Sequence, residues 1–320
     1  MRFPVKSAAV LSLAATLLWA GNTSLNAPGG VTRLLAHRGV HQTFPLNSVD
    51  NDTCTAAIID PPRHAFIENT IPSMRAAFAA GADVVELDVH LTPDNQFAVF
   101  HDWTLDCRTN GSGVTEQTQM AALRILDAGF GYTSDGGKTF PLRGKGAGLI
   151  ATLPEIFNAL PGKRFLINFK SRRIEEGEAL AALLKSDPAA RDAAFGVYGG
   201  REPTRAAMAH GLPGYDKASL VACGWRYLLT GWSGYVPHAC RGQLLAVPVN
   251  FAPLLWGWPH RLASRLKAQG TAVILLGPYG GGGFSSGIDT PELLARVPAN
   301  FDGYVWTNRI ETIGPLLKNR

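Results

Sequence analysis

Charge is scarce in this 320-residue chain: Asp, Glu, Lys and Arg together make up 17% of it. Disordered chains are rich in charge and poor in apolar residues. Here 46% of residues are hydrophobic, so the composition supports a large core. The net charge is only +5, and no basic run is longer than Arg172-Arg173. That argues against a nucleic-acid partner and supports at most a mild preference for anionic substrates or surfaces. Cysteine is sparse too: there are four, with no Cys-x-x-Cys, which argues against a zinc site. A nucleotide loop is missing as well. Gly136-Gly137-Lys138-Thr139 has Tyr132 where GxxxxGK[ST] requires its first glycine. No internal repeat is visible.

Glycine (35) and proline (21) are abundant but not periodic, which points to many loops. Arg2 and Lys6 precede an apolar run from Ala8 to Ala20, the pattern of a secretory signal. The run is short for a spanning helix, which needs about 20 apolar residues. No other segment could span a bilayer. Leu18-Trp19-Ala20 makes a poor cleavage site. Residues 1–30 are therefore expected to be a signal peptide or an uncleaved N-terminal anchor. The protein is then exported, to the periplasm or beyond, with membrane association through this segment. Four cysteines suit an oxidising compartment. Pairs Cys54–Cys107 and Cys223–Cys240 each stay within one region of the chain and are favoured among the three connectivities. Four free thiols are the alternative.

Strand and helix patterns alternate. Strands are expected at Arg33–His37, Asp83–Val89, Gln96–His101, Arg164–Phe169, Ala194–Val197, Leu244–Val249, Ala272–Leu276 and Gly303–Trp306. Helices are expected from Thr70, at Thr152–Leu160, Ile174–Lys185, Glu202–His210, Pro259–Gln269, Pro291–Arg296 and Glu311–Lys318. Residues 219–243, with Trp225, Trp232 and Tyr235, read as irregular, and Gly280–Gly283 as a mobile rim loop. Eight strands mostly followed by helices imply a parallel sheet. At this length the fold class is α/β, a (β/α)8 TIM barrel over 31–320 with a small insertion after strand 2, about 89–150. An open doubly wound sheet is the runner-up.

Barrels place their chemistry at the C-terminal ends of strands. Those ends carry His37-Arg38-Gly39, Glu86-Leu87-Asp88, His101-Asp102, Asn168-Phe169-Lys170 and Trp306-Thr307-Asn308. Glu86 and Asp88 are two apart and share a strand face. Two carboxylates on one face call for a cation, and hard oxygen ligands suit Ca²⁺ or Mg²⁺. The structural alternative is a barrel-interior pair neutralised by Lys170 or Arg38. Asn168 can add a neutral oxygen ligand, and Lys170 a charge for an anionic substrate. His37 and His101 can serve as general acid and base. Arg38 suits a phosphate.

These residues resemble the glycerophosphodiester phosphodiesterase family. The resemblance lies in Ala36-His37-Arg38-Gly39, Glu68-Asn69-Thr70, Gly81 to Val89, His101-Asp102, Thr109-Asn110-Gly111-Ser112-Gly113, Thr152-Leu153-Pro154-Glu155 and the strand ending in Lys170. It covers residues 33–170 and returns at Asp302–Asn308. It implies a barrel and one divalent cation, Ca²⁺ or Mg²⁺, with His37 and His101 as the acid–base pair. Glu86, Asp88 and Asn168 would be ligands, and Glu68 a ligand or a partner of one. Arg38, Lys170 and Trp306 would bind substrate. Three departures stand out. Asn168 replaces the family's glutamate, so weaker or altered metal binding is expected. The loop from Val40 to Ile67 is long and carries Cys54. Leu276-Gly277-Pro278-Tyr279 stands where the family often has a Trp-Thr element.

The implied reaction is hydrolysis of a glycerophosphodiester to an alcohol and glycerol-3-phosphate; separately, a monomer is expected. One alternative is a lysophospholipase D-type enzyme on lysophospholipids that forms a cyclic phosphate. Another is a non-catalytic barrel that binds phosphorylated ligands.

Overall fold

A computed structural model of the chain describes residues 5–45, 49–50, 53–281 and 286–320. One nine-stranded sheet organises it. Its members are β1 (Thr32–Ala36), β2 (Val84–Leu91), β3 (Phe97–Val99), β4 (Arg164–Phe169), β5 (Ala194–Gly199), β6 (Gly214–Tyr215), β7 (Leu244–Pro248), β8 (Ala272–Leu276) and β9 (Gly303–Thr307). The order is β6-β5-β4-β2-β1-β9-β8-β7, and the ladders along that path are parallel among the described residues. β3 lies off the path, antiparallel to β2.

One buried cluster shows that the sheet curls on itself. It joins Leu35, Val84, Leu166, Phe195, Tyr215, Leu244, Ile274 and Trp306, one from each parallel strand. The end strands β6 and β7 thus meet across the barrel interior, and the architecture is a nearly closed (β/α)8 barrel. A larger cluster lies outside it, where the strands' other faces pack on the helices.

Helix α1 (Val5–Asn22) precedes the barrel. Between β1 and β2 runs α2 (Ile71–Ala79), started by Thr70, whose hydroxyl accepts from Ser73 N, and by Pro72 in its first turn. The short α3 (Met120–Arg124) belongs to the insertion. A Thr152/Glu155 capping box starts α4 (Leu153–Ala159). The outer layer continues with α5 (Ile174–Ser186), α6 (Pro188–Ala193), α7 (Arg201–Ala209), α8 (Lys217–Thr230), α9 (His260–Lys267), α10 (Pro291–Ala295) and α11 (Ile310–Lys318).

Two expectations are corrected. The third expected strand is the antiparallel β3, a hairpin arm rather than a stave, and the missing stave is the two-residue β6. The count of eight came out right because these errors offset one another. Residues 219–243 are not irregular: Lys217–Thr230 is a helix, started by an Asp216/Ser219 capping box. Its apolar residues lie on both sides, Cys223 and Tyr227 buried but Val221, Trp225 and Leu229 exposed, so no single stripe marked it. The glycine run at Gly280–Gly283 falls partly outside the described residues.

The insertion has a core of its own. Leu105, Met120, Leu123, Tyr132 and Leu142 pack there with Ala56, Ile59 and Ile67 from the long loop after β1. That loop and the insertion are one unit, joined by the Cys54–Cys107 disulfide. Cys223–Cys240 ties α8 to the segment before β7. Among the described residues no helix is long and apolar enough to cross a membrane.

The two disulfides close loops with sequence separations of 53 and 17. Chain-entropy cost grows with loop length, so removing Cys54–Cys107 as a double serine variant should cost about 4 kcal/mol and removing Cys223–Cys240 about 3. Urea unfolding of the two variants checks that order.

Candidate active site

The turn after β1 sets the site. Arg38 (φ 57°) and Gly39 (φ 82°) are both left-handed. A non-glycine residue there costs roughly 1–2 kcal/mol. Hydrogen bonds hold it: Arg38 N donates to Glu86 Oε2 at 3.1 Å, and Arg38 O accepts from Asn69 N (3.0 Å) and the Ser73 hydroxyl (3.2 Å). A Cβ at Gly39 would collide with Ser73, so that position requires glycine.

The Arg38 side chain enters a buried group of carboxylates. Its Nη1 donates to Glu68 Oε1 at 3.0 Å, and its Nε lies 3.2 Å from Asp88 Oδ2. That Nε–H is aimed at no acceptor, so the Asp88 contact is Coulombic rather than a hydrogen bond. Arg108 donates to Glu68 Oε2 at 3.0 Å, Asp102 Oδ2 at 2.9 Å, and the Tyr132 and Thr55 hydroxyls at 2.7 Å each. Asp88 accepts from Asn69 Nδ2 and Asn168 Nδ2, both at 2.8 Å, with Lys170 Nζ 3.8 Å away. Glu86 accepts from the Tyr198 hydroxyl at 2.7 Å and faces His37 Nε2 at 3.7 Å.

These neighbours divide the pair. Burial and the charge on Asp88 push Glu86 up towards the neutral form. Burial works against Asp88 too, but Arg38 and Lys170 override it and keep Asp88 ionised. Burial likewise opposes ionisation of Glu68, and Arg108 and Arg38 hold it charged.

The histidines have different partners. His37 Nδ1 lies 2.6 Å from Asn308 Oδ1. Asn308 Nδ2 donates to Asp289, which fixes the amide so that its oxygen faces His37. His37 is thereby held with its proton on Nδ1 and Nε2 free. Burial first, then Arg38, holds it well below the ordinary histidine range. His101 Nδ1 lies 2.6 Å from Asp102 Oδ1. Burial and Arg38 lower it as well, while Asp88 pulls the other way.

His37, Arg38, Glu68, Glu86, Asp88, His101, Asn168 and Lys170 thus come together at the C-terminal rim. A pocket of about 900 Å³ opens there, lined by His101, Asn168, Lys170 and Arg172 among others, while His37, Arg38, Glu86 and Asp88 lie buried beside it. Three residues sit differently from expectation. Trp306 is 1% exposed, inside the barrel with its ring 4.9 Å from that of His37, so it supports His37 and cannot touch substrate. Arg38 faces the carboxylates instead of the pocket, because buried anions need a buried cation. Asn168 turns its amide nitrogen to Asp88, which makes it a donor here rather than an oxygen ligand.

Arg108, Tyr198 and Asp289 were not singled out from the sequence. Tyr198 had a signal in register: Asp88 pairs with Asn168 and Asn168 with Tyr198, forming one row across three strands. Asp289, in the loop after β8, had none.

Among the described residues no three His, Cys, Asp or Glu side chains are spaced to hold a metal ion. Glu86 and Asp88 suit one chemically, as hard oxygen donors on one face whose burial and mutual repulsion already drive Glu86 to keep a proton. Glu68 has both oxygens committed to arginines.

A family model for the glycerophosphoryl diester phosphodiesterase family matches residues 37–187. That segment is similar to the family, and the match covers less than half of the chain. The chain is 39% identical over 104 residues to a glycerophosphodiester phosphodiesterase of Caldanaerobacter subterraneus, a stretch covering 32% of this chain and 39% of that relative's length. The likeness of fold extends further than the likeness of sequence. A glycerophosphoryl diester phosphodiesterase domain from Mycobacterium tuberculosis superposes with a TM-score of 0.61, covering 90% of this chain and 99% of that one at 17% identity. An Oleispira antarctica phosphodiesterase in complex with the product sn-glycerol-3-phosphate has a TM-score of 0.53, with 92% and 98% covered at 20% identity.

The raised proton affinity of Glu86 has a measurable sign. The folded protein holds that proton to higher pH than the unfolded chain. Without metal, stability is therefore lost as pH rises past the ordinary 4.5 towards about 8. Glu86→Gln removes the titration and leaves partners for Tyr198 and Arg38 N. In EDTA its urea midpoint should gain on the wild type as pH rises through that window. Equal shifts with pH in both proteins would show that Glu86 does not carry the proton.

Proposed function

We propose that the chain is a metal-dependent glycerophosphodiester phosphodiesterase that releases an alcohol and glycerol-3-phosphate, working outside the cytoplasm. The observation that carries this reading is the convergence of His37 and His101, each locked through Nδ1, on a rim that also holds Glu86, Asp88 and Lys170. The Oleispira phosphodiesterase, named with glycerol-3-phosphate as product, supports the substrate class.

His37, neutral and with Nδ1–H committed to Asn308, offers Nε2 as a base. His101 has a carboxylate partner, and Asp102 stabilises its imidazolium as it forms, which suits protonation of the leaving alcohol. Lys170, beside the pocket, neutralises the phosphate. Arg38 keeps Asp88 ionised and Glu86 in place. Glu86 and Asp88 would hold Ca²⁺ or Mg²⁺, which supplies Lewis-acid polarisation of the phosphoryl oxygen when bound. Asn168 contributes no charge to that pair.

The test is glycerol-3-phosphate release from glycerophosphocholine with Ca²⁺, with Mg²⁺ and with EDTA. Turnover that EDTA abolishes is expected. His37→Ala and His101→Ala should each lower kcat by about 10²–10⁴ with the fold retained. Undiminished turnover in either folded variant would remove that residue from the mechanism. Ligand binding without turnover in any metal would favour a binding protein.

A further inference from the structure

The acids are unevenly placed. None of the 25 Asp and Glu residues falls before Asp50, and none falls from Lys217 to Ile288. The fold brings these two acid-free stretches together. Asn22 Nδ2 donates to Trp232 O at 2.8 Å, Arg265 donates to Gly21 O at 2.8 Å, and Arg261 to Thr23 O at 2.8 Å. The C-terminal end of α1 is thereby seated beside α8 and α9.

This flank exposes a row of large apolar side chains. Val221, Trp225 and Leu229 follow one another at four-residue spacing along α8 and are 64%, 64% and 58% exposed. Trp232 and Tyr235 continue the row, and α1 adds the exposed Leu17 and Trp19. Of the four tryptophans in this region, Trp256 and Trp258 pack against the core, and only Trp225 and Trp232 face outward. Lys217, Arg226 and Arg241 lie on the same flank and make no ion pair with any described residue.

We propose that the outer face of α8, the turn after it and α1 form a docking surface for an anionic phospholipid bilayer. Tryptophan and tyrosine favour the boundary between hydrocarbon and headgroups, and nearby Lys and Arg are drawn to anionic lipids. A protein partner would have to cover an aromatic row on which no acid offers it a counter-charge. The apolar α1, continuous with the patch, extends the same surface. A groove of about 720 Å³ runs from Arg172 and Gly199, which also line the active-site pocket, to Val221 and Ala222 on α8. Docking therefore sets the pocket mouth beside the lipid. The surface does not depend on the reaction proposed above.

The full-length chain is floated with vesicles of phosphatidylcholine alone or of phosphatidylcholine mixed with phosphatidylglycerol. Partition into the anionic vesicles should be at least about tenfold stronger and should weaken as salt shortens the Debye length. The paired W225A/W232A variant should lose about tenfold or more of that partition, since each ring withdraws apolar area from water. Its thermal transition and diester turnover should match the wild type. The proposal is overturned if the chain stays in solution with both vesicle types, or pairs with itself and ignores them. It is equally overturned if W225A/W232A floats like the wild type, because α1 alone then does the holding.

Discussion

The Arg38 guanidinium is what the rest of the site depends on. Glu68, Glu86 and Asp88 are all buried within its reach, and neither Glu68 nor Asp88 could stay ionised there without a facing cation. Burying charge is costly unless it is paired and hydrogen-bonded. Arg38 meets all three at once: Nη1 on Glu68, Nε beside Asp88 and its backbone N–H on Glu86. Reaching three acids from one residue requires a sharp turn directly after β1. The left-handed Arg38 and Gly39 are the form that turn takes. The strain and the charge pairing are therefore one feature, and each is stable only because of the other.

Arg108 carries that constraint outward. It shares Glu68 with Arg38, orients Asp102 under His101 and binds Tyr132 and Thr55 in the insertion. Arg108 and Thr55 each adjoin a cysteine of the Cys54–Cys107 bridge. The insertion is thus more than a cover over the rim. Its small core and its disulfide hold the residue that positions one of the two histidines. In the reaction proposed above, that fixes His101 in place before substrate arrives.

The sequence showed most of the staves, because β-branched and aliphatic runs ending in polar residues mark buried parallel strands. It showed the charged rim for the same reason: His37, Glu86, Asp88 and Lys170 stand at or beyond the ends of such runs. It did not show β6, since two residues carry no period. It did not show α8, since a helix with apolar residues on opposite sides has no stripe. Arg38 and Trp306 were placed in the right strands but turned the wrong way. Strand position says which rim a residue reaches, while its direction depends on partners such as Glu68 and His37 that lie far off in sequence.

Charge balance explains what the asparagine at 168 does. Glu68, Glu86, Asp88 and Asp102 face Arg38, Arg108 and Lys170, so with neutral histidines the cluster is one negative charge in excess. A single proton on Glu86 closes that gap, in keeping with its preference for the neutral form. A glutamate at 168 would add a second charge beside Asp88, one proton could no longer balance the site, and a divalent cation would be the natural complement. With asparagine, the side chain instead donates to Asp88 and its carbonyl oxygen faces Gly199, where a Cβ would collide with it. The site is therefore close to neutral on a proton alone. Any cation at Glu86 and Asp88 must compete with that proton, so its occupancy rises with pH as Glu86 gives the proton up.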